Sequence, residues 1–263
     1  MRMILKDKVI VVTGGTGILG ASFIKAIAAA GGKVCILGRN YTVASERADA
    51  IGDQAMALQA DVLDEQQLIT AREAILNRFG RIDGLVNAAG GNMPGGILQP
   101  EQDIFSLDMN SMRAVTDLNL WGTIIPTQVF GKAMVNGSIV NISSMSAQQA
   151  ITKVMGYSIG KAGIDCYTKW FAVEMANRFG DRIRMNAIAP GFFLTEQNRA
   201  LLTNPDGSFT PRGELVIKNT PFKRFGEPEE LNGALIWLLG DASRFVTGTV
   251  INVDGGFSVF SGV

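Results

Sequence analysis

Along the chain, short runs of apolar residues alternate with longer stretches in which apolar positions recur every three or four residues. The short runs lie at 8–12 (KVIVV), 33–37 (KVCIL), 55–60, 83–87 (DGLVN), 138–142 (SIVNI), 182–188 (RIRMNAI) and 249–253 (TVINV). Most are nearly continuous in apolar character, the pattern of parallel strands covered on both faces. The longer stretches fall at 20–30, 42–51, 64–79, 110–135, 157–178 and 228–239, and carry helical periodicity. This alternation predicts βαβ units. The expected fold is therefore α/β, a Rossmann-type doubly wound parallel sheet of about seven strands with helices on both faces. A single domain spanning 1–263 accommodates it. Two segments, 90–108 and 195–226, lack strong periodicity and directly follow strand ends. Ligands of such a sheet sit at the carboxyl ends of its strands, so both segments are expected to overhang the cleft as substrate loops.

The first strand runs into TGGTGILG at 13–20, and a helical pattern follows. Glycines permit a tight turn and close backbone approach, and the helix that follows offers free N–H groups to an anion. Gly14, Thr16, Gly17, Ile18 and Gly20 thus read as the cradle of a dinucleotide pyrophosphate. The second strand ends in LGRN, with Gly38 where an acidic residue would hold the ribose of NAD, and Arg39 beside it. Either Arg39 meets the 2′-phosphate of NADP, or it is a solvated strand-end cation; the reading favours NADP over NAD. Asp61, next to Val62 at the end of the third strand, could accept from the adenine amino group, cap the helix that begins near Asp64, or do both. Asn87, Ala88, Ala89 and Gly90 end the fourth strand, where small residues let a cofactor lie flat.

Composition narrows the chemistry. Lys and Arg equal Asp and Glu at 24 each, so net charge is zero and no basic footprint for nucleic acid is indicated. Histidine is absent, which removes Ser-His-Asp and Cys-His nucleophile chemistry and any imidazole zinc site; no metal is expected. Cys35 and Cys166 fall in apolar stretches and read as buried small hydrophobes. With no signal segment and no apolar run of about 18 residues, the expectation is a cytoplasmic protein without membrane contact.

Acid–base work then falls to Tyr, Lys, Asp or Glu. Tyr157 and Lys161 are four residues apart in a helical pattern, on one face. An ammonium about 4 Å from a phenol favours the phenolate by at most about 4 kcal/mol at an effective dielectric of about 20, or up to about three pKa units. Tyr157 could then exchange a proton with a hydroxyl near neutral pH.

Taken with Thr13-Gly14, Asp61, Asn87-Ala88-Ala89-Gly90, Asn119, Ser144, Pro190-Gly191-Phe192-Phe193-Leu194-Thr195 and Val253-Asp254-Gly255-Gly256, the chain resembles the compact short-chain dehydrogenases/reductases over its whole length. The resemblance implies Tyr157 as general acid or base and Ser144 as a partner of the substrate oxygen. It implies that Lys161 binds the nicotinamide ribose and depresses the Tyr157 pKa, and that Asn119 kinks the fourth helix and helps hold a relay water. Pro190, Gly191, Phe193 and Thr195 would line the cofactor, with Phe193 and Thr195 at its carboxamide end. It also implies a homotetramer or homodimer, pairing the fourth and fifth helices and the last strands.

GGNMPGG, NISSMSA and the segment after Pro190 resemble the branch of D-mannonate oxidoreductases (fructuronate reductases), although that branch tends to carry a histidine at the place of Met93. Polar residues near the cleft fit a sugar acid: Asn92, Ser144, Gln148, Gln197, Asn198 and Arg199, with Arg199 favoured for the carboxylate and Arg212 and Lys153 read as solvated. Reduction of a 3-oxoacyl thioester is the alternative within the family, and another polyol or sugar substrate is a third. An epimerase or dehydratase would need a larger C-terminal domain than the residues after Pro190 supply. A non-catalytic nucleotide sensor would lack the Tyr157 and Lys161 pair.

Overall fold

The computed structural model describes residues 4–99 and 101–262. Seven strands form one parallel sheet: β1 (Val9–Thr13), β2 (Lys33–Gly38), β3 (Ala55–Gln59), β4 (Gly84–Asn87), β5 (Gly137–Ile142), β6 (Ile183–Pro190) and β7 (Val250–Val253). Their order is β3-β2-β1-β4-β5-β6-β7, so the chain reverses its direction of travel between β1 and β4 and opens a crevice there. Each strand coincides with a predicted apolar run to within about two residues.

Alternation along β1 shows why both faces are covered. Ile10 and Val12 pack on one side with Phe23, Ile24 and Ile27 of α1 (Ile18–Ala29), Ala44 and Ala48 of α2 (Tyr41–Ile51), and Leu235 and Leu238 near the chain's end. Val9 and Val11 pack on the other side with Leu68, Ala71 and Ile75 of α3 (Glu65–Phe79), and with Phe130, Ala172 and Met175.

The stretch 110–135, expected as one helix with a kink at Asn119, is α4 (Met109–Thr116), a π-helical turn at Asp117–Trp121, and α5 (Gly122–Gly131). Asn119 explains the break. Its side-chain amide donates to Val115 O at 2.7 Å, taking the carbonyl that the Asn119 backbone N–H would use in a regular helix. The next helix, α6, runs Met155–Phe179. The aperiodic segment 195–226 contains α7 (Glu196–Leu202) and α8 (Pro211–Asn219), which share a small apolar cluster of Leu202, Val216 and Phe225. The stretch 228–239 is a 3-10 turn at Pro228–Leu231 followed by α9 (Asn232–Leu239). Cys35 is buried as expected, but Cys166, on the long helix α6, is exposed among the described residues.

Register aligns Leu37, Thr13, Asn87, Asn141 and Ala187 across the sheet near its carboxyl edge. The Asn87 amide donates to Thr127 Oγ1 and Asn141 Oδ1, and the Asn141 amide to Thr168 Oγ1, each at 2.9 Å. All four side chains are buried. This polar ladder fixes α5 and α6 against β4 and β5. Asn141→Ala leaves two buried partners unsatisfied and should lower the unfolding free energy by about 1–3 kcal/mol. Urea denaturation checks this; an unchanged midpoint would show that the ladder adds nothing.

Candidate active site

The glycine turn lies where β1 meets the crevice. Gly14 has φ +64°, and a Cβ there would come within 2.7 Å of Ala88 O and Ala89 N, so the turn presses directly on the end of β4. Thr13 Oγ1 accepts from those same residues' N–H groups, at 3.1 and 3.2 Å. Gly17 N-caps α1 with no side-chain hydrogen bond. The N–H groups of the first helical turn, at Ile18 and Gly20, are therefore left for an anion, with the positive end of the helix dipole behind them. Arg47 of α2 donates to Gly15 O (2.6 Å) and Gly17 O (2.9 Å) and braces the turn, a contact with no signature in the sequence. These features fit the pyrophosphate of a dinucleotide.

Thr16 packs on Gly38, where a Cβ would meet Thr16 Oγ1 at 2.7 Å, and Arg39 is exposed at the end of β2. Asp61 is half-buried, and its Oδ1 accepts from Leu63 N at 3.0 Å. Capping of α3 belongs to Asp64, whose Oδ1 accepts from Gln67 N, so the capping alternative for Asp61 does not hold. Val62 is buried against Gly122. Asn87 turns its side chain into the sheet end, while Ala88 and Gly90 face the cleft.

One cleft is lined by Ala88, Gly90, Asn92, Ser144, Tyr157, Lys161, Pro190, Gly191, Phe193 and Thr195, so most of the residues expected to act together do meet. Ser144 hydrogen-bonds the Tyr157 side chain and N-caps a 3-10 turn at Met145–Ala147. Lys161 is buried; its ammonium donates to Ile142 O at 2.7 Å and lies 5.4 Å from the Tyr157 ring centroid. Asn119 clamps Gly91 from both sides, donating to its carbonyl (2.8 Å) and accepting from its N–H (3.1 Å). A Cβ on Gly90 would come within 2.7 Å of Asn119 Oδ1 and 3.2 Å of Lys161 Nζ.

Burial outweighs the expected effect of the ammonium on the phenol. Desolvation pushes the Tyr157 pKa above its ordinary value of 10, and the Ser144 hydrogen bond opposes this only in part. Burial lowers Lys161 to about 8, and the Asp165 carboxylate holds it up in part. Asp165 accepts a very short hydrogen bond from Ser143 Oγ, and its Oδ2 accepts from Gln148 Nε2 at 3.4 Å.

Two expected substrate residues fall outside the cleft. Gln148 is exposed and is held by Asp165 and Asn252, because the turn after Ser144 carries it into a neighbouring groove. Arg199 is exposed on α7. Lys153 also lines the neighbouring groove. Asn198 lines the cleft, but its side chain is spent on Thr195 N and Phe193 O; the Gln197 side chain lies outside the described residues. Arg212, read as solvated, lines the cleft instead, together with Ile97, Ile151, Val154, Leu201 and Leu202. The sequence signal for its position is Thr210-Pro211, a helix start that places Arg212 in the first turn of α8.

Comparison with known proteins identifies the family. A family model described as enoyl-(acyl carrier protein) reductase matches residues 16–258. The chain belongs to the short-chain dehydrogenase/reductase family and is an NAD(P)-dependent oxidoreductase. It is 44% identical to UxuB of Bacillus subtilis (strain 168), described as an uncharacterized oxidoreductase, over 98% of each chain. A Haemophilus influenza structure with bound NAD, provisionally described as a D-mannonate oxidoreductase, superposes with TM-score 0.91 at 39% identity, covering 98% of each chain. A gluconate 5-dehydrogenase from Burkholderia cenocepacia J2315, in complex with NADP and tartrate, superposes with TM-score 0.85 at 30% identity, covering 98% of this chain and 97% of that one. Among the described residues no helix is long and apolar enough to cross a membrane, and no His/Cys/Asp/Glu group could hold a metal.

The raised Tyr157 pKa keeps the phenol protonated through neutral pH in the cofactor-free protein. The phenolate absorbance difference between wild type and Tyr157→Phe should therefore stay flat until the pH exceeds 10. Lys161, lowered to about 8, is charged below that pH and neutral above it. For reduction, kcat/KM should accordingly hold below about pH 8 and fall as pH rises through it; a profile flat to pH 10 would contradict this.

Proposed function

We propose that this protein interconverts a hydroxyl and a keto group on a sugar acid, with D-mannonate and D-fructuronate as the leading pair. One observation carries the substrate class. Beside Ser144 and Tyr157, the cleft is lined by two cationic side chains and no acidic one among the described residues. It also presents Asn92 Oδ1, a buried acceptor without a hydrogen-bond partner. An acceptor left unpaired in a buried site costs about 1–3 kcal/mol, which a substrate hydroxyl would recover. Such a lining favours an anionic, hydroxylated ligand. The descriptions of the two similar sugar-acid structures point the same way.

In this reading, the bound nicotinamide supplies or takes up hydride. Tyr157 gives a proton to the carbonyl oxygen during reduction and takes it back during oxidation, and Ser144 holds that oxygen through the hydroxyl that already bonds Tyr157. Lys161, beside the small Gly90, holds the nicotinamide ribose, and Asn119 positions the Gly90-Gly91 backbone for it. Gly14, Thr16, Gly17, Ile18 and Gly20 hold the pyrophosphate. Asp61 and Val62 receive the adenine, and Phe193 and Thr195 the carboxamide end. Replacing Tyr157 by Phe should then lower turnover about a thousand-fold while leaving coenzyme affinity in place.

At the adenosine end we favour NADP, because Gly38 offers no carboxylate and Arg39 is free to meet a 2′-phosphate, although the similar Haemophilus influenza structure holds NAD. Arg39→Ala should weaken NADPH binding about ten-fold and leave NADH binding unchanged. The exposed Trp121 of the π turn and Trp170 and Val173 of α6 support a homotetramer or homodimer. The apolar wall of Ile97, Ile151, Val154, Leu201 and Leu202 favours a second reading, a 3-oxoacyl thioester. Steady-state turnover of D-fructuronate against an acetoacetyl thioester separates the two. Activity on the sugar acid supports the first, and activity on the thioester alone overturns it.

A further inference from the structure

We infer that Arg212 is the carboxylate anchor of this site and so the residue that selects an acid over the neutral sugar; the inference rests on the sugar-acid reading above. Of the two cations lining the cleft, Lys161 donates to Ile142 O and packs beside Gly90, on the cofactor side, where it is assigned to the nicotinamide ribose. Arg212 stands on the opposite wall, carried by α8. It is half-buried, and that burial, with no compensating charge, lowers its pKa from the ordinary value. No ion pair reaches it among the described residues: Glu214, in the same helical turn, is exposed and makes no salt bridge with it.

Its two terminal nitrogens donate to neutral groups only, Nη1 to Thr152 Oγ1 at 3.1 Å and Nη2 to Thr152 O at 3.2 Å. A guanidinium has five N–H donors, so the Thr152 contacts orient the fork without exhausting it. Arg212 sits in the first turn of α8, where the helix dipole opposes a cation and attracts a carboxylate. A carboxylate bound there would meet the guanidinium in a pocket lined by no acidic side chain among those described.

Arg212 also bridges two segments. Thr152 lies in the loop between Ser144 and Tyr157, and Arg212 on the α7–α8 segment that overhangs the cleft. The carboxylate would thus be gripped from the overhanging segment while the keto carbon stays at Ser144 and Tyr157.

Steady-state kinetics on wild type, Arg212→Met and Arg212→Lys with D-fructuronate and saturating coenzyme test this. The expected result is a KM raised about 10- to 100-fold in Arg212→Met with kcat changed much less, because a charge-assisted contact made equally in ground and transition states is lost. Arg212→Lys should fall between, keeping the charge and losing the fork. The ratio of kcat/KM for D-fructuronate to that for D-fructose should drop in the same order. Coenzyme affinity and melting temperature, read on the same samples, report on the fold and the cofactor side. An unchanged KM in Arg212→Met, or a loss of kcat accompanied by loss of coenzyme affinity in both variants, overturns the inference. If wild type turns over no sugar acid at all, the functional reading fails before any variant is made, and the inference falls with it.

Discussion

Asn119 is the point at which the site is assembled. Fully buried, it spends its amide on Val115 O and Gly91 O and its carbonyl oxygen on Gly91 N. The first contact breaks the helical ladder and makes the π turn; the other two tie that turn to the chain leaving β4. On its other side Gly160 of α6 comes so near that an added Cβ would lie 2.8 Å from Asn119 Cβ. Three segments far apart in sequence therefore meet on one amide. Since Tyr157 and Lys161 flank Gly160 on α6, their place relative to the strand ends follows from that contact.

Behind this point the sheet edge is held by polar rather than apolar packing. The Asn87–Asn141–Thr168 ladder occupies a level where alternating strand residues would otherwise be aliphatic. A buried network of directional bonds favours one geometry more strongly than aliphatic packing does, even though Asn87 Oδ1 in it has no partner. That suits an edge whose task is to hold loops in register. The same low-dielectric setting raises the Tyr157 pKa and lowers that of Lys161 to about 8, so burial tunes both members of the pair.

The cleft has two walls of different character. On the cofactor side are backbone turns and small residues, with Gly14, Gly38 and Gly90 each sitting where a side chain would collide. Opposite them, α7 and α8 carry their own small core of Leu202, Val216 and Phe225, and present Arg212 inward. The first wall is built to admit a large flat ligand.

Strand and helix positions were legible in the chain because a doubly covered parallel strand must be apolar throughout and its helices must show a 3.6-residue stripe. The glycine turn and the Tyr157–Lys161 pair were legible for a related reason, each being tied to a strand end or helix turn at a fixed offset; Ser144 and Asn119 were singled out only by the family resemblance. The choice between Arg199 and Arg212 was not, nor was the diversion of Gln148 to Asp165 and Asn252. Both depend on how α7, α8 and the 145–154 loop fold back over the sheet. The pKa of Tyr157 belongs to the same group, since it reflects how fully the assembled walls exclude water. Local pattern determines elements and the groups fixed to them. Which side chains face one another across a cleft is decided by contacts between segments that no local period encodes.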